Sequence, residues 1–291
     1  MLEKKSLAVI IPNWNGKKYL VECLPSLQKQ HFKDFKTIIL DNGSSDGSVD
    51  WITKTHPEVH LIDNKKNLGF SGAINKGLRL AMDQGYKYFV LLNQDTVVQE
   101  NFLDAGIKML DSDADVCCPK ILYYSNKTIW YAGSPIFRGY GDFMKNHIIK
   151  LLIEESHGEE DGPQFDKQKE VGFASGCSLF IRRDVLEKVG LLDERFFFNW
   201  EAKDFCRRVR NAGYRLMYFP DTVVLHNVPY LKDTGNVFKK YFFSKTGYWQ
   251  ITGFLKYMKK HFGLARTILY VLKVPFDVPF ILWWYYKKKK S

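Results

Sequence analysis

The sequence predicts an α/β fold, in which a mostly parallel twisted sheet carries helices on both faces and is followed by a basic, aromatic helical extension. Short apolar runs alternate with segments of helical spacing through the first third of the chain, which is the pattern of βαβ units. The 291 residues, 45% of them apolar and 15% aromatic, are enough for one large domain plus an appendage. The net charge of +11 is concentrated near the C-terminus.

The predicted strands in the first third of the chain are continuous apolar runs, as expected of parallel strands buried on both faces. Gly85 is a typical C-terminal stop for the helix before it. The predicted strands are Leu7–Ile11, Thr37–Leu40, Val59–Ile62 and Tyr88–Leu92; the predicted helices are Gly16–Gln30 and Gly69–Gln84, with a turn and a helix start within residues 41–48.

The middle of the chain breaks this pattern. Residues 123–168 are polar and irregular and include the acidic stretch 154–163, so we expect a mobile surface loop over a site. Regular spacing returns at Val171–Ile181, Arg183–Val189 and Trp200–Asn211, and a last strand is predicted at Arg215–Tyr218, ended by Pro220.

Four predicted strands deliver polar groups to one edge of the sheet, the edge where open α/β sheets bind ligands. Asp95 beside a neutral amide suits a divalent cation that holds a diphosphate; the alternative is a helix cap formed by Asp95 or Thr96. Asp41 can accept from a base N–H or a ribose hydroxyl; the alternative is an Asx-turn. The segments at this edge are Pro12–Asn13, Asp41–Asn42, Asn64–Asn67 and Asn93–Asp95.

A glycine-rich turn, residues 67–72, precedes the second predicted helix. Its backbone N–H groups can face an anion at the helix N-terminus. It is neither a Walker A loop nor a Gly-x-Gly-x-x-Gly fingerprint, which argues against P-loop enzymes and dehydrogenases.

Several motifs in order resemble glycosyltransferase family 2, and most closely its rhamnosyltransferase-like branch. They are Ile-Ile-Pro-Asn-Trp-Asn-Gly at 10–16, Asp-Asn-Gly-Ser-Ser-Asp-Gly-Ser at 41–48, Asn-Leu-Gly-Phe-Ser at 67–71 with Asn75 and Gly77, and Leu-Asn-Gln-Asp-Thr at 92–96. The resemblance covers roughly residues 6–230. It implies a GT-A fold, a nucleotide-diphosphate sugar donor, a Mg²⁺ or Mn²⁺ ion, and inversion at the anomeric carbon.

The resemblance also implies roles for individual residues. Asn93 and Asp95 stand at the family's Asp-x-Asp pair, so Asp95 is the chief carboxylate for the metal. His226 resembles the family's third metal-side group and favours Mn²⁺; the alternative is a satisfied loop histidine. The implied nucleotide-binding residues are Pro12, Asn13, Asp41, Asn67, Gly69, Ser71 and Asn93, and the implied acceptor-side residues are Ser175, Gly176 and Trp200.

One departure from the family pattern concerns catalysis. The family's usual Glu-Asp-x-Asp places a general base where this chain has Ala202, and a methyl group cannot accept a proton. Three interpretations stay open: Glu201 serves as the base, activity has been lost, or an Asp-to-Ala change was engineered. For Glu201 and Asp204 the alternative is a charge pair at a helix start near Arg207 and Arg208.

The C-terminal segment carries the whole net charge. Residues 231–291 contain 13 Lys and Arg against Asp233 and Asp277, so we divide the chain into a transferase domain at 1–230 and a membrane-associating extension at 231–291. Amphipathic aromatics beside lysines favour an anionic membrane surface; the alternative is a solvated face with core aromatics. The apolar stretch 267–286 is interrupted by charges and prolines, so we expect it to lie on a membrane rather than cross it.

These observations predict transfer of a sugar to a glycan or lipid-linked acceptor. A non-enzymatic nucleotide-sugar-binding pseudo-transferase is the alternative that Ala202 keeps open. Nucleic-acid binding is disfavoured, because the positive charge does not adjoin the site in the sequence and no nucleic-acid motif is present. Five cysteines without a Cys-x-x-Cys pair, and no signal-peptide core in Met1–Leu7, lead us to expect a cytoplasmic protein, peripheral at the inner face of the membrane.

Overall fold

The computed structural model describes residues 6–137, 139–145, 157–228 and 244–273. These residues form one ten-stranded sheet with helices packed against it. The strands are β1 (Leu7–Asn13), β2 (Phe35–Asp41), β3 (His60–Asp63), β4 (Tyr88–Leu92), β5 (Thr96–Val98), β6 (Val116–Tyr123), β7 (Ile129–Tyr131), β8 (Lys169–Glu170), β9 (Ser178–Arg182) and β10 (Leu216–His226). The helices are α1 (Lys17–Gln28), α2 (Ser48–Thr55), α3 (Gly69–Asp83), α4 (Phe102–Ser112), α5 (Tyr140–Lys145), α6 (Arg183–Val189), α7 (Glu201–Asn211), α8 (Lys245–Phe262) and α9 (residues 264–273).

The predicted α/β class is confirmed. The order across the sheet is β3-β2-β1-β4-β9-β6-β10-β5, with β7 added to β6 and β8 to β10. Strands β3, β2, β1 and β4 are parallel, and β9 joins β4 to β6 in the antiparallel sense. Asn13 lies opposite Asp41, which in turn lies opposite Asp63. The carboxyl ends of the parallel strands therefore meet at one edge, as the sequence predicted.

Helix α3 packs directly on this parallel half. A β-carbon at Gly77 would lie 2.7 Å from Cγ2 of Ile10 and 2.8 Å from Cδ2 of Leu40. Because carbon atoms in contact prefer about 3.5–4.0 Å, a larger residue at this position would push the helix off the sheet. The buried face of the helix includes Ala73, Ile74, Leu78 and Ala81.

Strand β10 corrects one prediction. We expected Pro220 to end the strand, but β10 runs through it to His226. Its register against β6 shifts between Phe219 and Val223. Pro220 therefore lies in a bulge, where its missing N–H breaks no ladder hydrogen bond. The longer strand carries His226 to the edge of the sheet.

The segment 123–168, expected to be a mobile loop, packs on the sheet in its described parts. Strand β7 pairs with β6 and buries Ile129 and Tyr131, and Phe165 is also buried. The expectation of a mobile surface loop was therefore wrong for these parts, because a few apolar residues within a polar segment are enough to add a short strand beside β6.

Two ion pairs to a buried lysine fix the end of this segment. The ammonium of Lys120 lies 2.8 Å from Asp161 and 2.5 Å from Asp166, and only 4% of Lys120 is exposed. The remaining part of the predicted loop, residues 146–156, is outside the described residues.

The C-terminal helices pack on the domain and form a second hydrophobic cluster with the segment before α7. In this part of the extension the aromatic side chains are core residues, as the alternative interpretation of the sequence predicted. Residues 229–243, which contain the predicted domain boundary, and residues 274–291 lie outside the described parts of the chain. The cluster contains Phe196, Trp200, Phe254, Tyr257, Met258 and Tyr270.

None of the described helices combines the length and the hydropathy needed to span a bilayer. All five cysteines are buried, and none of them forms a disulfide.

Candidate active site

Asn13 and Asp41 lie side by side at the ends of β1 and β2, fully buried. The Asn13 amide donates to Oδ2 of Asp41 at 2.6 Å, and Oδ1 of Asp41 accepts from the Ser44 N–H at 2.9 Å. Asp41 therefore has the turn role that the sequence left open as the alternative. Oδ1 of Asn13 is buried without a hydrogen-bond partner among the described residues, an arrangement that is costly unless a ligand or water fills it.

Gln94 links the ends of β1 and β4, a contact that the sequence analysis missed. Its Oε1 accepts from the Trp14 N–H at 2.8 Å, and its Nε2 donates to the Trp14 carbonyl at 3.3 Å. A β-carbon at Gly16 would lie 2.2 Å from Oε1 of Gln94, so a larger residue here would displace the Gln94 amide. The only signal in the sequence was the position of Gln94 between two predicted site residues.

The glycine-rich turn before α3 binds the chain itself. The Gly69 N–H donates to Oδ1 of Asn67 at 2.8 Å, and the next N–H donates to the Phe197 carbonyl at 2.9 Å. The Ser71 hydroxyl donates to the Phe196 carbonyl at 2.8 Å. The expectation that these first N–H groups face an anion is therefore wrong. The turn instead holds the loop that leads into α7.

The pairing of β5 with β10 brings Asp95, Asn93 and His226 together, because it places His226 opposite Thr96. Oδ1 of Asp95 is 3.2 Å, and Nδ2 of Asn93 is 3.5 Å, from Nε2 of His226. The Trp130 ring packs edge-on against the imidazole, with centroids 4.6 Å apart. Nδ1 of His226 is buried and has no partner among the described residues, so this residue is not the satisfied loop histidine of the alternative.

These residues fit a divalent cation as part of a larger ligand set. A carboxylate and an imidazole nitrogen converge, and Mn²⁺ accepts both types of ligand. Asn93 brings an amide where a second carboxylate is expected. Among the described residues, no group of three His, Cys, Asp or Glu side chains is placed to hold an ion. An ion held by Asp95 and His226 therefore needs further oxygen ligands, such as those of a diphosphate.

Ala202 occupies the position of the expected base and lies close to the carboxyl end of β4. A β-carbon built on Gly176 would be 3.3 Å from Cβ of Ala202 and 3.7 Å from the Phe70 ring. The carbonyl of Cys177, the residue after Gly176, accepts from the Asn93 N–H at 2.9 Å. One short segment thus connects the metal-side residues to the start of α7.

Glu201 is the first residue of α7, and its carboxyl is buried. Oε2 has no partner among the described residues, and burial raises the pKa of Glu201 to about 7. A general base works best with a pKa near the operating pH. Glu201 therefore has a proton affinity suited to a base.

Asp204, also a candidate catalytic residue, has a structural role. Its buried carboxylate lies 2.9 Å from Arg208, 2.7 Å from Lys260 and 2.8 Å from His261. Burial alone would raise the pKa of Asp204, but hydrogen bonds from His261 and Lys260 and the charge of Arg208 lower it overall. Asp204 therefore joins α7 to α8. Arg207, the other predicted charge partner, contacts Tyr257 instead.

The predicted acceptor-side residues have internal partners. Ser175 accepts from the Cys177 N–H at 3.1 Å, and the Trp200 indole donates to Gln250 on α8 at 3.1 Å. Asn199 and Trp200 have φ values of 66° and 71°, a left-handed conformation that costs non-glycine residues roughly 1–3 kcal/mol each. The packing of α8 over Trp200 therefore holds a strained entry into Glu201 and Ala202.

Known proteins share this sequence pattern. The family described as Glycosyl transferase family 2 matches residues 8–190. Agl10, a low-salt glycan biosynthesis hexosyltransferase of Haloferax volcanii, is 26% identical over 228 residues, which cover 77% of this chain and 67% of the relative. An N-acetylglucosaminyl-diphospho-decaprenol L-rhamnosyltransferase of Mycobacterium tuberculosis is 25% identical over 248 residues, which cover 76% of each protein.

A solved structure shares the fold. The mannosyltransferase PcManGT from Pyrobaculum calidifontis, in complex with GDP-Man and Mn²⁺, has a TM-score of 0.58 at 17% identity, with 94% of this chain and 72% of that chain covered. The expected GT-A-like architecture is confirmed.

Proposed function

The chain belongs to glycosyl transferase family 2, and from this premise we propose that it moves a hexosyl or deoxyhexosyl unit from a nucleotide-diphosphate sugar to a hydroxyl of a glycan or lipid-linked acceptor, with inversion. The observation that carries the proposal is the position of Asn93. Asp95 and His226 lie beside it. On its other side, Asn93 donates to the carbonyl of Cys177, and the preceding residue, Gly176, packs against Ala202. Inversion requires the leaving diphosphate and the base to act on opposite faces of the sugar, and we assign these two roles to the metal-side residues and to position 202.

On the donor side, we assign the nucleotide to the ends of β1 and β2. Asn13 offers its unpaired Oδ1 to the base or ribose, and Pro12 and Asp41 shape the pocket around it. Asn93 contributes its amide from β4. Asn67, Gly69 and Ser71 support the nucleotide indirectly, because they hold the loop at 196–197.

Asp95 and His226 would hold Mn²⁺ or Mg²⁺. When bound, such an ion supplies positive charge to the departing diphosphate. The Mn²⁺ in the complex of PcManGT supports this assignment.

On the acceptor side, Ser175, Gly176 and Trp200 surround the position of the base. The name of the mycobacterial relative includes a lipid diphosphate acceptor, which supports a lipid-linked acceptor here. A base at position 202, or Glu201 in its place, would take the proton of the attacking hydroxyl.

A pseudo-transferase that binds the donor without turnover is the second candidate function. Ala202 favours it, since no proton acceptor stands at that position. It predicts donor binding without transfer.

A panel of nucleotide sugars separates the two candidates. Binding is measured by calorimetry with Mn²⁺, and transfer is measured to a lipid-linked glycan. We expect one or a few donors to bind and to be transferred slowly. Binding without transfer, even after Ala202→Asp, would favour the pseudo-transferase, and no binding of any donor would contradict both candidates.

We also propose that the C-terminal extension rests on an anionic membrane surface at the cytoplasmic face. Its described end, α9, combines exposed apolar side chains with Arg266 and Lys273 and has no acidic residue, as interfacial helices do. The extension also carries the whole net charge of the chain. The exposed apolar residues of α9 are Leu264 (59%), Ile268 (51%), Leu269 (56%), Val271 (44%) and Leu272 (62%).

Replacing Leu269 and Leu272 by Ser is expected to weaken sedimentation with anionic vesicles at least about tenfold, because burying one leucine is worth roughly 1.5–3 kcal/mol. Added salt should weaken it further, since the screening length falls to about 8 Å at physiological ionic strength. Val21→Ser, at an exposed position on α1, is the matched control. Point substitutions are preferred to truncation, because α8 covers Trp200. Unchanged sedimentation of the double variant would contradict the proposal.

A further inference from the structure

Two consecutive residues before α7 adopt a backbone conformation that is unfavourable for their types. Asn199 and Trp200 have φ values of 66° and 71°, in the left-handed region, where a β-carbon is crowded by the backbone. Nδ2 of Asn199 is buried without a hydrogen-bond partner among the described residues, so its N–H groups do not offset the strain. Strained residues persist where the surrounding structure holds them, and they cluster at functional sites. A contact from outside the pair must therefore hold this conformation.

The conformation of Trp200 sets the first turn of α7. The Trp200 carbonyl accepts from the Asp204 N–H at 2.9 Å, which is the first hydrogen bond of the helix. Glu201 and Ala202 follow Trp200 directly in the chain. A rotation of the backbone at Trp200 would therefore redirect both residues, and with them the position assigned to the base.

One face of α8 covers the Trp200 indole. Its N–H donates to Oε1 of Gln250 at 3.1 Å. The rings of Phe254 and Tyr257 have their centroids 5.1 Å and 5.2 Å from that of the indole. Together with Gly253, these three residues have the spacing i, i+3, i+4 and i+7, which places all four on one side of the helix. Trp200 is only 5% exposed, so the ring has little room to move.

Gly253 allows α8 to come this close. A β-carbon at Gly253 would lie 2.7 Å from Cδ1 of Trp200 and 3.3 Å from the carbonyl oxygen of Asn199. Because carbon atoms in contact prefer about 3.5–4.0 Å, an alanine here would displace the indole or the helix by about 0.8 Å or more. Glycine is disfavoured within helices relative to alanine, and the close approach to the strained pair explains its presence at this buried position of α8.

We propose that Gly253 is a positioning residue for the acceptor side of the active site. By letting α8 pack directly on Trp200, it holds the left-handed pair, and the pair directs Glu201 and Ala202 toward Gly176. The proposal rests on the proposed transferase function. It makes the extension beyond residue 230 a part of the catalytic unit, in addition to any contact with a membrane.

Amide hydrogen exchange of the full-length protein, without ligands, tests the proposal on Gly253→Ala. Exchange reports local opening, and we expect it to become about tenfold faster in residues 196–206, with β1 and β4 unchanged. Gly141→Ala, on α5, is the matched control. Gly141 is also a glycine within a helix, but none of the described atoms lies within 4 Å of the added carbon, so this variant should exchange as the parent does.

Transfer kinetics separate positioning from a general loosening of the fold. We expect kcat of Gly253→Ala to fall by about 10–100-fold, since a misplacement of about 1 Å can cost about 10²-fold in rate. The donor KM and the nucleotide affinity should stay unchanged, because Asn13 and Asp41 are held by β1 and β2. Gln250→Ala removes the hydrogen bond to the indole without adding volume, and it should change exchange and kcat in the same direction by a smaller factor.

Unchanged exchange at residues 196–206 in Gly253→Ala would overturn the proposal. So would faster exchange throughout the chain, or a rise in donor KM that accounts for the lost transfer, because either result would give Gly253 a purely structural role. Thermal melting checks folding, and Gln250→Ala decides the question if Gly253→Ala is unfolded. Exchange is measured without catalysis, so an unmodified protein that transfers no sugar would contradict the transferase function alone.

Discussion

Replacing Ala202 by Asp is expected to raise the rate of sugar transfer by about 10²–10⁴-fold, the range typical of a positioned general base. Ala202 occupies the expected position of the base, and its neighbour Gly176 has no side chain to compete for the space. Donor affinity should change little, because the residues assigned to the nucleotide lie in β1, β2 and α3 or directly beside α3 and β4. Transfer rate and nucleotide affinity are measured on both forms with one acceptor.

Ala202→Asn is the control for this substitution. Asparagine has nearly the shape of aspartate but accepts no proton at neutral pH, so it should give no comparable gain. An equal gain from both substitutions would show that the added bulk at position 202, rather than a base, is responsible.

Glu201 gives the competing outcome. If the present form already turns over well and Glu201→Gln silences it, Glu201 is the base and the interpretation of a missing base fails. Burial raises the pKa of Glu201 to about 7, and a base acts only when deprotonated. Transfer by Glu201 should therefore increase as the pH rises through about 7 and level off above it.

The strand ends were predictable because a continuous apolar run is a local feature of the sequence. Apolar runs located β1, β2 and β4 within two residues at either end, and parallel pairing then had to bring Asn13, Asp41 and Asp95 to one edge. Ala202 was singled out differently, by the resemblance of its few adjacent residues to the family's Glu-Asp-x-Asp pattern. What the sequence predicted well was thus the identity of the residues at the edge of the sheet.

The contacts between distant segments were not predictable. Asp204 pairs with Lys260 and His261, and nothing local says which of many C-terminal cations meets it. The bulge at Pro220 likewise depends on the register against β6, because a proline ends a strand unless the partner strand tolerates a shift. Such features follow from packing and register, which a single sequence does not specify.

The C-terminal charge shows the same limit. Composition correctly located the excess of lysine and arginine. It did not show which of these cations pair with carboxylates of the domain and which are exposed. Lys260 neutralises Asp193 and Asp204, whereas Arg266 lies on the exposed face of α9. Net charge alone therefore overstates how much of the extension is free to meet an anionic surface.

A second large effect is expected at Asp95, where Asp95→Asn should remove most of the metal-dependent donor binding. Among the described residues, Asp95 is the one carboxylate within 4.0 Å of the His226 imidazole, so no neighbouring acid can replace it. We expect a loss of at least about 10–100-fold in Mn²⁺-dependent affinity, since removing even the outer partners of metal ligands costs that much. Calorimetric titration of a nucleoside diphosphate with and without Mn²⁺ measures it.

The reciprocal substitution, Asn93→Asp, makes this test specific to the metal. A second carboxylate beside Asp95 and His226 should strengthen binding in Mn²⁺, because carboxylates suit this ion, and should weaken binding in EDTA, because it repels the diphosphate. Asp63→Asn, at the end of β3, is the matched control and should leave the Mn²⁺ dependence unchanged. If Mn²⁺ makes no difference to the unmodified protein, the metal role of Asp95 and His226 is wrong. If Asn93→Asp strengthens binding equally with and without Mn²⁺, the effect of Asn93 does not act through an ion.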